Sequence, residues 1–245
     1  MHKEEKPAGL VPIPIEGIAF GVRYQPRYEV MDRIGTIVDR ILRSRGTPFG
    51  SKTFPLIKRE PGEHALWNPD TGNELRLTER DAILQMKIDS RKTPDIQNLA
   101  EHYVTFVLDT LRDVSNLSLI VRYGVLFRLQ ECHASLKETP AEHFIQPDFP
   151  DTRSLSLRFT RRLPVMEALH RKGVNDYRNI IYTVKQTEEG EVTISVDYQE
   201  YFSPELGTKE WSQKPFTKFV GDGIRYFVSE FQNWLKKLTV KAEAA

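Results

Sequence analysis

Arginines at alternate positions of strand-like stretches are the residues in this chain whose type and spacing could do chemistry. Arg122 and Arg128 are interleaved with Val121, Tyr123, Val125, Phe127 and Leu129, Arg23 lies between Val22 and Tyr24, and Arg158 and Arg162 follow the alternation of Leu155, Leu157 and Phe159. Residues two apart on a strand share a face. If these strands share one sheet with their apolar sides against helices, Arg23, Arg122, Arg128, Arg158 and Arg162 emerge together on the opposite side. Guanidinium groups gathered in this way would bind phosphates or carboxylates bidentately. The competing reading is internal, with Asp197, Glu200 and Glu131 pairing across strands with the same arginines. Tyr24, Tyr123, Tyr182, Tyr198 and Tyr201 could interleave with the arginines and stack bases, but most fall on the apolar side of the alternation. They read as core tyrosines with a hydroxyl at the rim.

Other reactive residue types form no working constellation. His133 and His143 stand near Cys132, Glu131 and Glu142, at a separation that matches no ligand motif, so no metal is expected. Cys132 and His133 are adjacent, and adjacent strand residues point to opposite faces, so one cannot activate the other. Asp148 and Asp151 sit in a proline-rich loop, and Glu188, Glu189 and Glu191 at a hairpin tip, where solvated acids are expected. Gly221-Asp222-Gly223 lacks the spacing and the preceding strand of a phosphate-binding fingerprint, leaving a dipole contact or close packing as its explanation. No catalytic residue, metal or cofactor is expected, and the chain reads more as a protein that binds than as an enzyme, with nuclease chemistry left open because it would need acids clustered in space around a divalent metal.

The elements that would position the arginines follow from hydrophobic periodicity. A strand is expected near Ile15 to Tyr24, then a helix from Tyr28 to Ser44 with Met31, Ile34, Ile37, Val38, Ile41 and Leu42 on one stripe. Turn residues at Pro61-Gly62, Asn68-Pro69 and Asp70 to Asn73 separate short strands up to Ile88 that read as antiparallel hairpins. After Pro94, a stripe of Ile96, Leu99, Tyr103, Phe106, Val107, Leu111 and Val114 predicts a second long helix ending at Ser115-Asn116, ahead of the Leu117 to Leu129 strand. A short helix over Ser135 to Phe144, strands around Leu155, Ile180 and Ile194, and a closing helix from about Phe216 to Leu238 complete the order. The fold class is therefore α+β, with mainly antiparallel sheet covered by three long helices. The organisation is one domain over 1–245, with an extended lead-in at 1–14 and a tail at 239–245. Because Val22-Arg23-Tyr24 echoes Val121-Arg122-Tyr123, the alternative is two related lobes, 15–116 and 117–240.

Composition bounds the partners. Hydrophobic residues are 39% and charged residues 28% of the 245, the balance of a folded globular protein. The 35 basic and 34 acidic residues nearly cancel, so no whole-molecule field draws the chain to nucleic acid or an anionic membrane. Locally, 151–178 is net basic and 186–210 net acidic. A single cysteine, a charged start without a signal-peptide run and no long apolar segment point to the cytoplasm and away from a membrane.

The run from the Ile96 helix through Leu119 to Gly124, followed by Val192 to Tyr201 and the Phe216 helix, resembles a sporadically distributed, functionally uncharacterised bacterial family of similar length. The residues that carry the resemblance are Val121-Arg122-Tyr123 and Val196-Asp197-Tyr198; it departs at Gly124-Val125, where a polar continuation would stand. The resemblance implies no activity and transfers no catalytic residue. Sporadic occurrence implies, by analogy, an accessory part of a defence system. The expected function is a non-catalytic interaction protein, a subunit of a larger assembly with a protein partner or further copies of itself. The alternative is nucleic-acid binding or processing by the arginine face.

Overall fold

The computed structural model of the protein describes residues 15–43, 56–60, 62–88, 95–129, 154–165, 175–189, 191–207, 213–231 and 233. The strands are β1 (Ile15–Tyr24), β2 (Leu56–Glu60), β3 (Glu63–Trp67), β4 (Glu74–Thr78), β5 (Asp81–Lys87), β6 (Leu119–Leu129), β7 (Leu155–Pro164), β8 (Tyr177–Gln186) and β9 (Val192–Gly207). They form one nine-stranded sheet in the order β2-β3-β4-β5-β1-β6-β9-β8-β7. Every neighbouring pair is antiparallel. The alternation that marks β1 and β6 in the sequence brings those strands together at the centre of the sheet, where Gly21 lies opposite Gly124 and Arg23 opposite Arg122.

The helical segments are α1 (Tyr28–Asp32), α2 (Ile34–Arg43), α3 (Ile96–Tyr103), α4 (Asp109–Ser115) and α5 (Gln213–Tyr226). A π-turn at Val104–Leu108 joins α3 to α4, and another at Phe227–Phe231 continues α5. They pack on the face lined by Phe20, Val22, Tyr24, Tyr123, Val125 and Phe127, all almost completely buried. Phe216 of α5 locks the layers together, its ring centroid 5.1 Å from Tyr123, 5.4 Å from Tyr103 and 6.2 Å from Phe20.

This architecture corrects the expectation of a sheet covered by three long helices. The protein is sheet-dominated, with about half of the described residues in strands. The expected Tyr28 to Ser44 helix breaks at Arg33 into two short pieces. The stripe of the second helix is turned by its π-turn, so that Ala100, Val104 and Leu108 join Tyr103, Val107 and Leu111 in the core while Leu99 and Phe106 are only partly buried. Helices are required only where a strand face is apolar, and alternation makes only one face apolar. The other face carries no described helix.

Local corrections have equally local causes. A bulge between Ile120 and Arg122 in the pairing with β9 turns Ile120 inward and leaves Val121 half-buried, although the alternation placed Val121 in the core. The lead-in at 1–14, the helix at 135–144 and the tail at 239–245 lie outside the described residues, as do Glu131, Cys132, His133, Glu142, His143, Asp148 and Asp151.

Candidate functional site

The face that carries no helix among the described residues is where the strand register gathers side chains from six strands and more. One row crosses the sheet as Arg158, Thr183, Ser195, Arg128, Gly17 and Lys87. Another runs Arg162, Asn179, Gln199, Gly124, Gly21 and Ile83. Between them lie Asp197, Leu126, Ala19 and Gln85, and beyond the second come Tyr201, Arg122, Arg23 and Asp81. All five arginines singled out from the sequence, Arg23, Arg122, Arg128, Arg158 and Arg162, therefore stand on this one face.

Their partners differ. Arg23 grips Asp81 bidentately, Nε to Oδ1 at 2.9 Å and Nη2 to Oδ2 at 3.1 Å, and the hydrogen bond to Asp81 raises its already high pKa. Arg122 donates to the Tyr201 hydroxyl at 3.2 Å and approaches Asp81 at 3.9 Å. Tyr201 donates to Gln199 Oε1 at 3.0 Å, and Gln199 Nε2 donates to Asp197 Oδ2. Arg162 donates to Asn179 Oδ1 at 3.2 Å and lies 4.3 Å over the Tyr177 ring, which stacks on Tyr201 at 4.8 Å. Arg128 donates to Gln85 Oε1 at 3.3 Å. Arg158 acts on Asp197 through its charge.

Of the acids expected to pair with these arginines, the structure separates two. Asp197 is on the same face, and Glu131 lies outside the described residues. Glu200 is on the covered face, where Arg178 Nε donates to its Oε2 at 2.7 Å while Arg178 Nη2 reaches Asp222 Oδ2 at 2.9 Å. Asp222, between its two glycines, is thus the anchor by which α5 holds β8 and β9. A Cβ at Gly223 would stand 2.9 Å from Val125 Cγ1 and 3.2 Å from Tyr198 Cδ1, so close packing explains that glycine.

Asp197 is an acid of the arginine face that lies largely buried. Burial pushes its carboxyl above the ordinary aspartate value, and the Gln199 hydrogen bond and the charges of Arg122 and Arg158 draw it partly back. It leans over Gly124: a Cβ there would be 4.0 Å from Asp197 Oδ1. Gly21 and Gly124 have room for a methyl group, their nearest neighbours being at ordinary van der Waals distances of 3.6 Å and 3.8 Å. Sterics therefore do not demand glycine at either position, yet glycine weakens a strand interior. What the missing side chains create is a trough along β1 and β6.

The trough holds two adjoining cavities that share Gln85 and Leu126. The larger, about 570 Å³, is lined by Lys87, Arg128, Lys185, Thr183, Ser195 and Glu16 among others. The smaller, about 160 Å³, lies over Gly21 and Gly124 against Asp197, Gln199, Arg76 and Arg122. Lys87, Lys185 and the central glycines were missed in the sequence, although extending the alternation of β5, β8 and β1 would have put them on the same face as the arginines. Among the described residues no group of three His, Cys, Asp or Glu is placed to hold a metal ion, and no helix is long and apolar enough to cross a membrane.

No protein-family model matches this chain, and no curated protein matches it.

Proposed function

We propose that this is a non-catalytic binding protein of the cytoplasm, a subunit or accessory component of a larger assembly, and that a protein partner is received on the sheet face that carries no described helix. The observation that carries this reading is the trough over Gly21 and Gly124, flanked by Arg122, Gln199 and Asp197, which a hydrogen-bond chain running through the Tyr201 hydroxyl already orients. Side chains ordered before binding lose little freedom on association, which favours recognition. The test compares native wild type, isolated from its own cells, with Gly124→Phe, which fills the trough. Wild type should travel with a stoichiometric partner and Gly124→Phe alone, with unchanged circular dichroism. A wild type that purifies alone, or a variant that keeps the partner, would refute the reading.

A second reading, nucleic acid on the same face, is favoured by one observation: Lys87, Lys185 and Arg158 have no ion-pair partner among the described residues. Cations not engaged in ion pairs suit a polyanion, and such binding weakens steeply with salt. Electrophoretic shift with mixed RNA and DNA, with and without magnesium, separates the two, and Arg122→Ala with Arg158→Ala should abolish any shift that this face produces.

A further inference from the structure

The geometry points to a nucleoside phosphate as the ligand of the trough, its phosphate in the larger cavity and its base over Gly124. This inference rests on that sheet face being the working surface and belongs with the second, nucleic-acid reading of it, to which it adds the chemistry of the ligand.

Three cationic side chains, Lys87, Arg128 and Lys185, line the larger cavity against one carboxylate, Glu16, and Thr183, Thr193 and Ser195 add hydroxyls. Arg128 spends one donor on Gln85, and neither lysine has an ion pair among the described residues. A dianionic phosphoryl group satisfies this combination, since its oxygens accept from several cationic and hydroxyl donors at once. The cavity volume of about 570 Å³ falls within the range of small-molecule sites.

The chemistry changes along the trough. From Arg128 to Gly124 is four residues of β6, about 13 Å at the ordinary strand rise. Asp197, opposite Leu126, lies only half that distance along the strands from Arg128, an interval that a nucleoside phosphate can span from its phosphate to its base edge. At this second end the floor is two glycines, over which a planar ring can lie against the backbone. The wall there is Asp197, whose Oδ2 accepts from Gln199 and whose Oδ1 takes no hydrogen bond from the described residues. A carboxylate so placed selects a base edge with adjacent N–H donors, which is the edge guanine presents. The same chemistry could come from a free nucleotide or from the 5′-phosphorylated terminal nucleotide of a strand.

Isothermal titration of the full chain with GMP, AMP, UMP, inorganic phosphate and a short RNA bearing a 5′-phosphorylated guanosine tests the assignment. GMP or the RNA should bind more tightly than UMP or phosphate alone, and Lys87→Ala with Lys185→Ala should weaken either by about tenfold or more. Asp197→Asn should erase the preference for guanine while leaving the phosphate contribution. Binding of GMP assigns a free nucleotide, and binding of the RNA alone assigns a strand terminus. No binding of either, or equal binding of phosphate and GMP, overturns the inference. If nucleotides fail but Gly124→Phe still releases the protein partner, the face remains the docking surface and only the nucleotide assignment falls.

Discussion

Glycines in similar strand-and-helix company do opposite work in this protein, and substitution distinguishes them. Gly21 and Gly124 have space for a methyl group. Gly124→Ala and Gly21→Ala should each therefore raise stability by about 0.5–1 kcal/mol, the usual strand penalty of glycine. Gly223→Ala should lower it by about 1–3 kcal/mol, because the added carbon meets Val125 Cγ1, a stiff side chain in the core, at 2.9 Å. Urea unfolding of the three variants decides the matter, and a stabilised Gly223→Ala would contradict the packing described. Asp197 gives a pH signature. Its folded pKa lies above the ordinary 3.8 because burial disfavours the charged form, so between the unfolded and folded values the native state binds more protons. Stability from this group therefore falls as pH rises through that window, and below the unfolded value the penalty is absent. Asp197→Asn removes the penalty, so the variant should gain on wild type as pH rises from the ordinary aspartate value through the raised folded one, in paired unfolding curves. A constant difference would show that Asp197 titrates normally.

Elements were legible where one periodicity dominates. Phe20, Val22 and Tyr24 announce β1, and Tyr123, Val125, Phe127 and Leu129 announce β6, because each side chain turned to the core had to be apolar. The turns at Gly62 and Gly72, both at positive φ, were equally plain. Partners were not legible: a period of two states which face a residue occupies but not which strand lies beside it, and β1 meets β6 only after the whole first half of the chain. For the same reason the arginine face could be anticipated, while the cavity between Lys87, Arg128 and Lys185 needed the register. Arg178 shows the limit most clearly, since its stretch looked simply basic, yet the residue joins β8 to Glu200 of β9 and Asp222 of α5. Burial pushes the Glu200 carboxyl up, and the charge and hydrogen bond of Arg178 oppose that. Removing the arginine leaves two largely buried acids facing each other, so Arg178→Met should cost about 3 kcal/mol. Arg178→Met with Glu200→Gln and Asp222→Asn should recover a good part of it. A single variant as stable as wild type would mean that α5 is held by its aromatic contacts alone.

At the scale of the molecule, the two halves of the chain trace the same path. From the centre outward the first half runs β1, β5, β4, β3, β2, and the second runs β6, β9, β8, β7, so each opens at the middle of the sheet and brings its last strand back beside its first. Arg23 and Arg122, the middle residues of the repeated Val-Arg-Tyr, face each other across the junction. A layout of this kind would suit independent lobes only if each closed its own core. Here contacts cross the junction: Phe20 and Tyr103 from the first half and Tyr123 from the second all converge on Phe216, within one continuous apolar cluster. Separating the halves would expose the inner edges of β1 and β6 together with that aromatic socket, losing backbone pairing and apolar burial at once. The protein should therefore unfold as one unit, with far-ultraviolet and near-ultraviolet circular dichroism giving coincident urea transitions. Residues 1–116 and 117–245 expressed apart should each lack a cooperative transition and regain one on mixing. Two resolved transitions in the whole chain, or a stable folded half, would show that the β1–β6 seam joins lobes that do not need each other.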